Sequence, residues 1–399
     1  MRILVLDGNQ NQAVASVRSL AKAGHTVLVG EASSWSKAGW SRDCRSMFQY
    51  PNPEKDVTGF VSRISALAGE QPGTLVLPMT EATTLPLSSE REQLDKAGAR
   101  YALPAHADVL RAFNKSEMVQ LASALGIAIP KTIPVSTANQ ARDACGALKF
   151  PIVLKPSSSV ESRNDGKVHI TGRPRYARDV QEAMSRFAEM IRVSSQVLLQ
   201  EFIDGEGAGY FALMHNGELR AEFAHRRIRD MHPTGSGSAL RVSVEPDPQV
   251  REASLAILRA LHWHGVAMVE FRQIPGQAPV FLEVNGRFWN SLPLACYAGA
   301  DFPAWLAEMT EFGDIAPKRV FQVGVSSRWL LGDFRHLLEV WRGAPEGYPR
   351  PYPGRLRTLL SVMTPTSGTF HDNFQWHDPL PEFGDWINFV ERLFERAIS

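Results

Sequence analysis

Glu270 and Glu283 are the residues best placed to do chemistry. They lie in two apolar runs, Val266-Ala-Met-Val-Glu-Phe-Arg-Gln and Pro279-Val-Phe-Leu-Glu-Val-Asn, joined by Ile274-Pro-Gly-Gln-Ala. Such runs around a Pro-Gly turn predict an antiparallel hairpin. With Pro275 to Ala278 as a four-residue turn, residue 270 falls opposite residue 283. Asn285 and Arg287 then share the face of Glu283 if the strand continues. Carboxylates that face each other across a ladder repel. The apolar neighbours Val269, Phe271, Leu282 and Val284 imply a low dielectric that worsens the conflict. A hard cation relieves it: Glu270, Glu283 and the Asn285 carbonyl are a set that Mg²⁺ accepts, with Mn²⁺ as the alternative. The competing reading is a solvated strand face on which Glu270 pairs with Arg272 or Arg287.

Cationic groups recur elsewhere. Lys115 follows Asn114, which with Glu117 predicts a capped helix start, a place where free N–H groups favour anions. A plain surface lysine is the alternative. Lys155 ends the strand Phe150-Pro-Ile-Val-Leu-Lys and precedes the small polar stretch Ser157-Ser-Ser-Val-Glu-Ser. His225-Arg-Arg-Ile-Arg-Asp is the densest local set of donors. Its Arg227 is favoured for phosphate or acyl-acceptor contact, ahead of Arg226 and Arg229, because a planar guanidinium matches such oxygens. A solvated strand with neutralising partners is the alternative there. Gly205-Glu-Gly-Ala-Gly reads as a turn, and His262 with His264 as a surface pair at a helix end.

The positioning elements follow from periodicity. Residues 1–105 alternate strand and helix (Ile3 to Leu6, Ala13 to Ala23, Thr26 to Gly30, Leu75 to Leu77), which predicts a parallel sheet with ligands at its strand ends. Glu81 and Thr83 fall at such an end. No G-x-G-x-x-G follows the first strand and no phosphate-loop motif occurs, which argues against a dinucleotide or P-loop role. Helix then strand patterns fill residues 106–316. In residues 317–399 the clear element is a helix, Phe383 to Ala397, whose stripe of Trp386, Phe389, Val390, Leu393 and Phe394 reads as core or as a homodimer contact.

Composition narrows the class. Lys+Arg is 43 and Asp+Glu 42 in 399 residues, a net charge of +1, which predicts no nucleic-acid partner. Three scattered cysteines, no long apolar run and a first strand rather than a leader predict a cytoplasmic protein without membrane association.

Phe281-Leu-Glu-Val-Asn-Gly-Arg resembles the metal-binding strand of ATP-grasp enzymes, the carbamoyl-phosphate-synthetase-like branch in particular. Gly286 stands where that family usually has proline, which loosens the backbone before Arg287. Lys115 and Lys155 resemble the two family lysines, and the stretch from Ser157 the loop over the triphosphate. Val197-Leu-Leu-Gln-Glu-Phe-Ile-Asp-Gly-Glu resembles the hinge, which maps adenine contacts to the main chain of Gln200 and Ile203, with Glu201 close by and Glu206 as the ribose acid. Thr234-Gly-Ser-Gly-Ser, with Arg241 beyond it, resembles the border of the carboxylate site.

The resemblance covers residues 1 to about 310. It implies a mixed α/β and α+β architecture: a Rossmann-like pre-ATP-grasp domain (1–105), a two-lobed ATP-grasp domain (106–316, flexible lobe about 145–203) and a C-terminal extension (317–399) packed on the core. It further implies ATP with Mg²⁺ at Glu270, Glu283 and Asn285, phosphate contacts from Lys115 and Lys155, and catalytic roles for Arg287, Arg227 and Lys155. The implied reaction joins a small-molecule carboxylate to an amine through an acylphosphate. A regulatory nucleotide-binding module, or a phosphotransferase or thioester-forming enzyme, are the rival functions.

Overall fold

The computed structural model describes residues 1–157, 160–162, 168–170, 174–364 and 368–398. Residues 158 and 159 of the Ser157–Ser162 stretch lie outside them, and only the backbone of 160–162 is described.

Near the N-terminus four strands form a parallel sheet in the order Ser46–Gln49, Thr26–Glu31, Arg2–Val5, Leu75–Leu77. The expected alternation is realised: the helix Asn11–Lys22 stops before Gly24, which adopts φ +86°, a conformation that costs glycine little. Val14 and Val17 of that helix pack with Ile3, Val5 and Val29 of the sheet, all fully buried.

A second layer is an antiparallel sheet, ordered Thr132–Val135, Val197–Glu201, Ile152–Pro156, Arg175–Ala177. The helices Ala138–Ala147 and Val180–Met190 cover one side, burying Ala141, Leu154, Phe187 and Leu199. Its opposite side faces a third, seven-stranded sheet across a cavity.

That third sheet runs Val280–Asn285, Gly265–Gln273, Glu206–His215, Glu218–His232, Ser236–Val244, Ser326–Arg328, Thr369–His371. Its last two members come from beyond residue 317, so this region completes the sheet as well as lying against it. No described helix is long and apolar enough to cross a membrane. In the helix Leu380–Ile398 the apolar stripe divides. Trp386 and Phe389 pack on Phe334, with centroids 5.3 and 5.9 Å away, whereas Val390, Leu393 and Phe394 are exposed.

Buried charges fasten the C-terminal region to the rest. Lys37, 2% exposed, binds Asp385 at 2.7 Å, and Arg18 binds Asp378 at 2.8 Å. Arg241 is fully buried against Asp372. Arg241 follows the Thr234–Ser238 stretch as expected and donates to the Ser238 carbonyl at 2.9 Å, but its strand turns it inward, where a buried guanidinium requires a counter-charge.

Glu382 is buried beside Asp385 and accepts a hydrogen bond from the Trp386 indole at 2.8 Å. Burial, reinforced by the charge of Asp385, pushes its carboxyl up to about 7. A folded-state value raised above the unfolded one stabilises fully below the ordinary carboxylate range, and that stability is lost as pH rises through about 7. Glu382→Gln is therefore expected to melt about 2–4 °C above wild type at pH 8 and no higher than wild type at pH 5, which thermal circular dichroism will measure.

Candidate active site

Glu270 and Glu283 are direct cross-strand partners, as the hairpin parity predicts. The turn differs from the expected one. A bulge at Leu282 shifts the ladder, so Phe271 pairs with Phe281 while Glu270 stays opposite Glu283. The physical reason is burial: unshifted, Phe281 would share the carboxylate face, but the extra residue turns it onto Phe271, centroids 5.8 Å apart, with both rings fully buried. Leu282 is left to line the cavity.

The two carboxylates are held by separate cations. Arg227 reaches Glu270 at 3.2 Å and Lys115 reaches Glu283 at 3.3 Å. Burial pushes the Glu283 carboxyl upward, but Lys115, Lys155 and Arg287 outweigh it and hold the group below its ordinary value. Burial likewise lowers Lys155 to about 8, against the opposing pull of Glu283.

Local structure explains how the cations arrive. Asn114 caps the helix Lys115–Ala124, accepting from the N–H groups of Ser116 and Glu117 at 3.0 and 3.2 Å. The Lys115 N–H donates to the carbonyl of Ser157 at 2.9 Å, tying this helix start to the end of the Lys155 strand. Arg227 lies two strands from Glu270 and crosses the intervening strand above Gly207, where an added Cβ would come within 3.2 Å of its guanidinium. The glycine-rich segment is thus strand rather than turn, and its missing side chain clears a path for Arg227.

Lys115, Lys155, Gln200, Glu201, Ile203, Glu270 and Glu283 all border one cavity of about 760 Å³. Gln200 sits in the ladder between Thr132 and Val153, and its side chain donates to Thr132 at 2.9 Å. Ile203 lies past the strand end. Glu201 accepts from the Lys149 N–H at 2.9 Å. Glu206 is exposed and does not line the cavity, a correction with a register cause. It pairs with Gln273, whose parity is opposite to that of Glu270 and Arg272, so it faces away.

Arg287 and Asn285 lie beside this cavity and not on its wall. The strand stops at Asn285, yet Arg287 turns back to donate to the Asn285 amide oxygen at 3.2 Å and lies 3.6 Å from Glu81. Glu81 opens the helix after the last parallel strand, so the N-terminal sheet does reach the site. Arg226 is exposed, and Arg229 is spent on Asp333 at 2.5 Å. His225 is a buried ring stacked on Phe211, and burial pushes it well below the ordinary imidazole value.

Five residues of the cavity wall carry no cavity role in the sequence reading. Arg272 lines the cavity and donates to the carbonyls of Gly205 and Gly235 at 3.1 and 3.3 Å. Its parity with Glu270 was the available signal. Tyr176 and the distant Glu339, Pro345 and Glu346 also form the wall, and nothing in their spacing pointed there.

Does this donor set fit a divalent ion? The described residues contain no cluster of three His, Cys, Asp or Glu. Two facing carboxylates and a nearby amide oxygen do suit a hard ion that takes its other ligands from phosphate and water. The set fits such an ion.

Gly286 has a negative φ, so freedom of its backbone is not what requires glycine. An added Cβ would overlap the fully buried Trp263 ring and press on Phe113. Gly286→Ala is expected to cost about 1–3 kcal/mol of stability through overpacking, read from denaturant unfolding. An unchanged midpoint would refute the indole-packing explanation.

No protein-family model matches the sequence. The chain is 26% identical over 249 residues to the carbamoyl phosphate synthase large chain of Myxococcus xanthus, covering 58% of this chain and 22% of that protein. It thus spans less than a quarter of that relative. Among solved structures, the biotin carboxylase domain of Hydrogenobacter thermophilus 2-oxoglutarate carboxylase, in complex with MgADP, superposes with a TM-score of 0.63 at 13% identity, over 82% of this chain and 73% of that one. N5-carboxyaminoimidazole ribonucleotide synthetase from Thermus thermophilus gives 0.59 at 15%, over 82% and 81%. L-amino acid ligase from Bacillus licheniformis gives 0.57 at 15%, over 77% and 73%. These likenesses show that this chain shares the fold of those enzymes.

Proposed function

We propose that this chain is an ATP-dependent ligase that joins a small-molecule carboxylate to an amine, releasing ADP and phosphate. The observation that supports it most is the Glu270–Glu283 pair, ringed by Lys115, Lys155 and Arg227, at a cavity of about 760 Å³ between two sheets. The named activities of the structural neighbours, a carboxylase domain, a synthetase and an amino acid ligase, agree with it.

In this reading Glu270, Glu283 and Asn285 hold Mg²⁺, which when bound offsets charge on the transferring phosphoryl group. Lys115 and Lys155 contact phosphate oxygens. The lowered Lys155 is still largely protonated at pH 7, so it can serve as a cation. Ile203, beyond the strand end, offers its main chain to adenine, with Gln200 and Glu201 shaping that end of the cavity.

The first step moves the γ-phosphoryl from ADP oxygen to a carboxylate oxygen, breaking one P–O bond and making another. The amine nitrogen then attacks the carbonyl carbon, the C–O bond to phosphate breaks, and the amine loses a proton. Arg287 and Arg227 stabilise the oxygens on which charge develops, an effect of preorganised donors in a partly desolvated site. The amine enters as free base, so no general base is required of the chain.

Glu283→Gln is expected to lower carboxylate-dependent ADP release at least about 100-fold while leaving the thermal midpoint within a few degrees. Hydroxylamine in place of the amine is expected to yield a hydroxamate with the wild type. ATP binding with neither acceptor-dependent turnover nor hydroxamate would favour a regulatory module, and near-normal turnover by the variant would remove Glu283 from the site.

A further inference from the structure

We propose that residues 345–350 form a strap that spans the nucleotide cavity from outside the three-sheet framework and sets the rate at which nucleotide leaves. The proposal rests on the nucleotide reading above.

The segment touches three parts of the cleft's rim. Pro345 and Glu346 line the cavity itself. Glu346 pairs with Arg186, on the helix that backs the antiparallel sheet, at 2.5 Å. Arg350 pairs with Asp204, just past the crossing between the sheets, at 2.8 Å. Between these ion pairs Tyr348 sets its ring edge-on to Tyr176 and Phe202, centroids 5.1 and 6.4 Å away. Its hydroxyl reaches the carbonyl of Pro233 on the opposite side at 3.4 Å. One short stretch thus bridges the antiparallel sheet, the crossing and the turn after Glu218–His232 of the seven-stranded sheet.

The approach is closer than a side chain permits. Gly347 has φ +78°, and a Cβ there would lie 2.6 Å from the Tyr176 carbonyl oxygen and 3.0 Å from Glu182. Glycine answers both constraints at once.

The fastening is also weak enough to open. Glu346 and Asp204 are about 70% exposed (71% and 70%), and solvent-exposed ion pairs add little stability. Tyr348 contributes ring-edge contacts of similarly modest strength. Such contacts hold the antiparallel sheet, which carries Lys155 and the crossing, over a bound nucleotide without locking it there. Glu346 and Tyr348 are positioning residues in this arrangement.

The test uses the full chain and a fluorescent N-methylanthraniloyl ADP, displaced by excess ADP in a stopped-flow instrument. Glu346→Ala with Arg350→Ala is expected to speed ADP release by about threefold to tenfold, and Tyr348→Ala to do the same. KM for ATP should rise with no equal fall in kcat. Exchanging the charges, Glu346→Arg with Arg186→Glu, is expected to restore slow release, a rescue that general destabilisation would not give. ADP binding by wild type with unchanged release from all variants overturns the strap alone. No ADP binding by wild type overturns the nucleotide reading and the strap's role with it.

Discussion

Two acidic side chains that oppose each other on a sheet impose the main demand on this molecule. Left alone they would repel, and the surrounding apolar strands would magnify the cost. The fold answers by bringing positive charge from four separate places: a helix start, a strand end, a distant strand of the same sheet and the residue after the hairpin. Lys115, Lys155, Arg227 and Arg287 have little in common in sequence, and their convergence gives the antiparallel and seven-stranded sheets a shared electrostatic purpose. A site built this way is strongly cationic except where the carboxylates sit, which suits a nucleotide phosphate accompanied by a divalent ion.

Much of that arrangement was readable in advance because it depends on parity. Side chains alternate along a strand, so pairing Glu270 with Glu283 settles which neighbours share their face. The Asn114 cap was equally legible, since its chemistry is local. The bulge at Leu282 was not. Its cause is the packing of Phe281 on Phe271, a tertiary preference that overrides the simplest turn. The same gap accounts for Glu206, whose direction depends on a register with Gln273 that no local pattern states.

Glycines show a second kind of gap. Residues 207 and 286 looked like a turn and a loosened backbone. In the folded chain both are places where another side chain needs the room, a guanidinium in one case and an indole in the other. Vacant space is invisible in sequence until its occupant is known. The C-terminal region was hardest for a related reason: strands of three residues such as Ser326–Arg328 and Thr369–His371 carry too little pattern to be read, and they exist because a sheet edge is already there to receive them.

The buried contact between Lys37 and Asp385 joins positions 348 residues apart. An ammonium enclosed in protein without its counter-ion is strongly unfavourable. That contact can therefore form only once both ends of the chain have been made. Removing the late helix would leave Lys37, far along the chain from the cut, without its carboxylate partner and open to water.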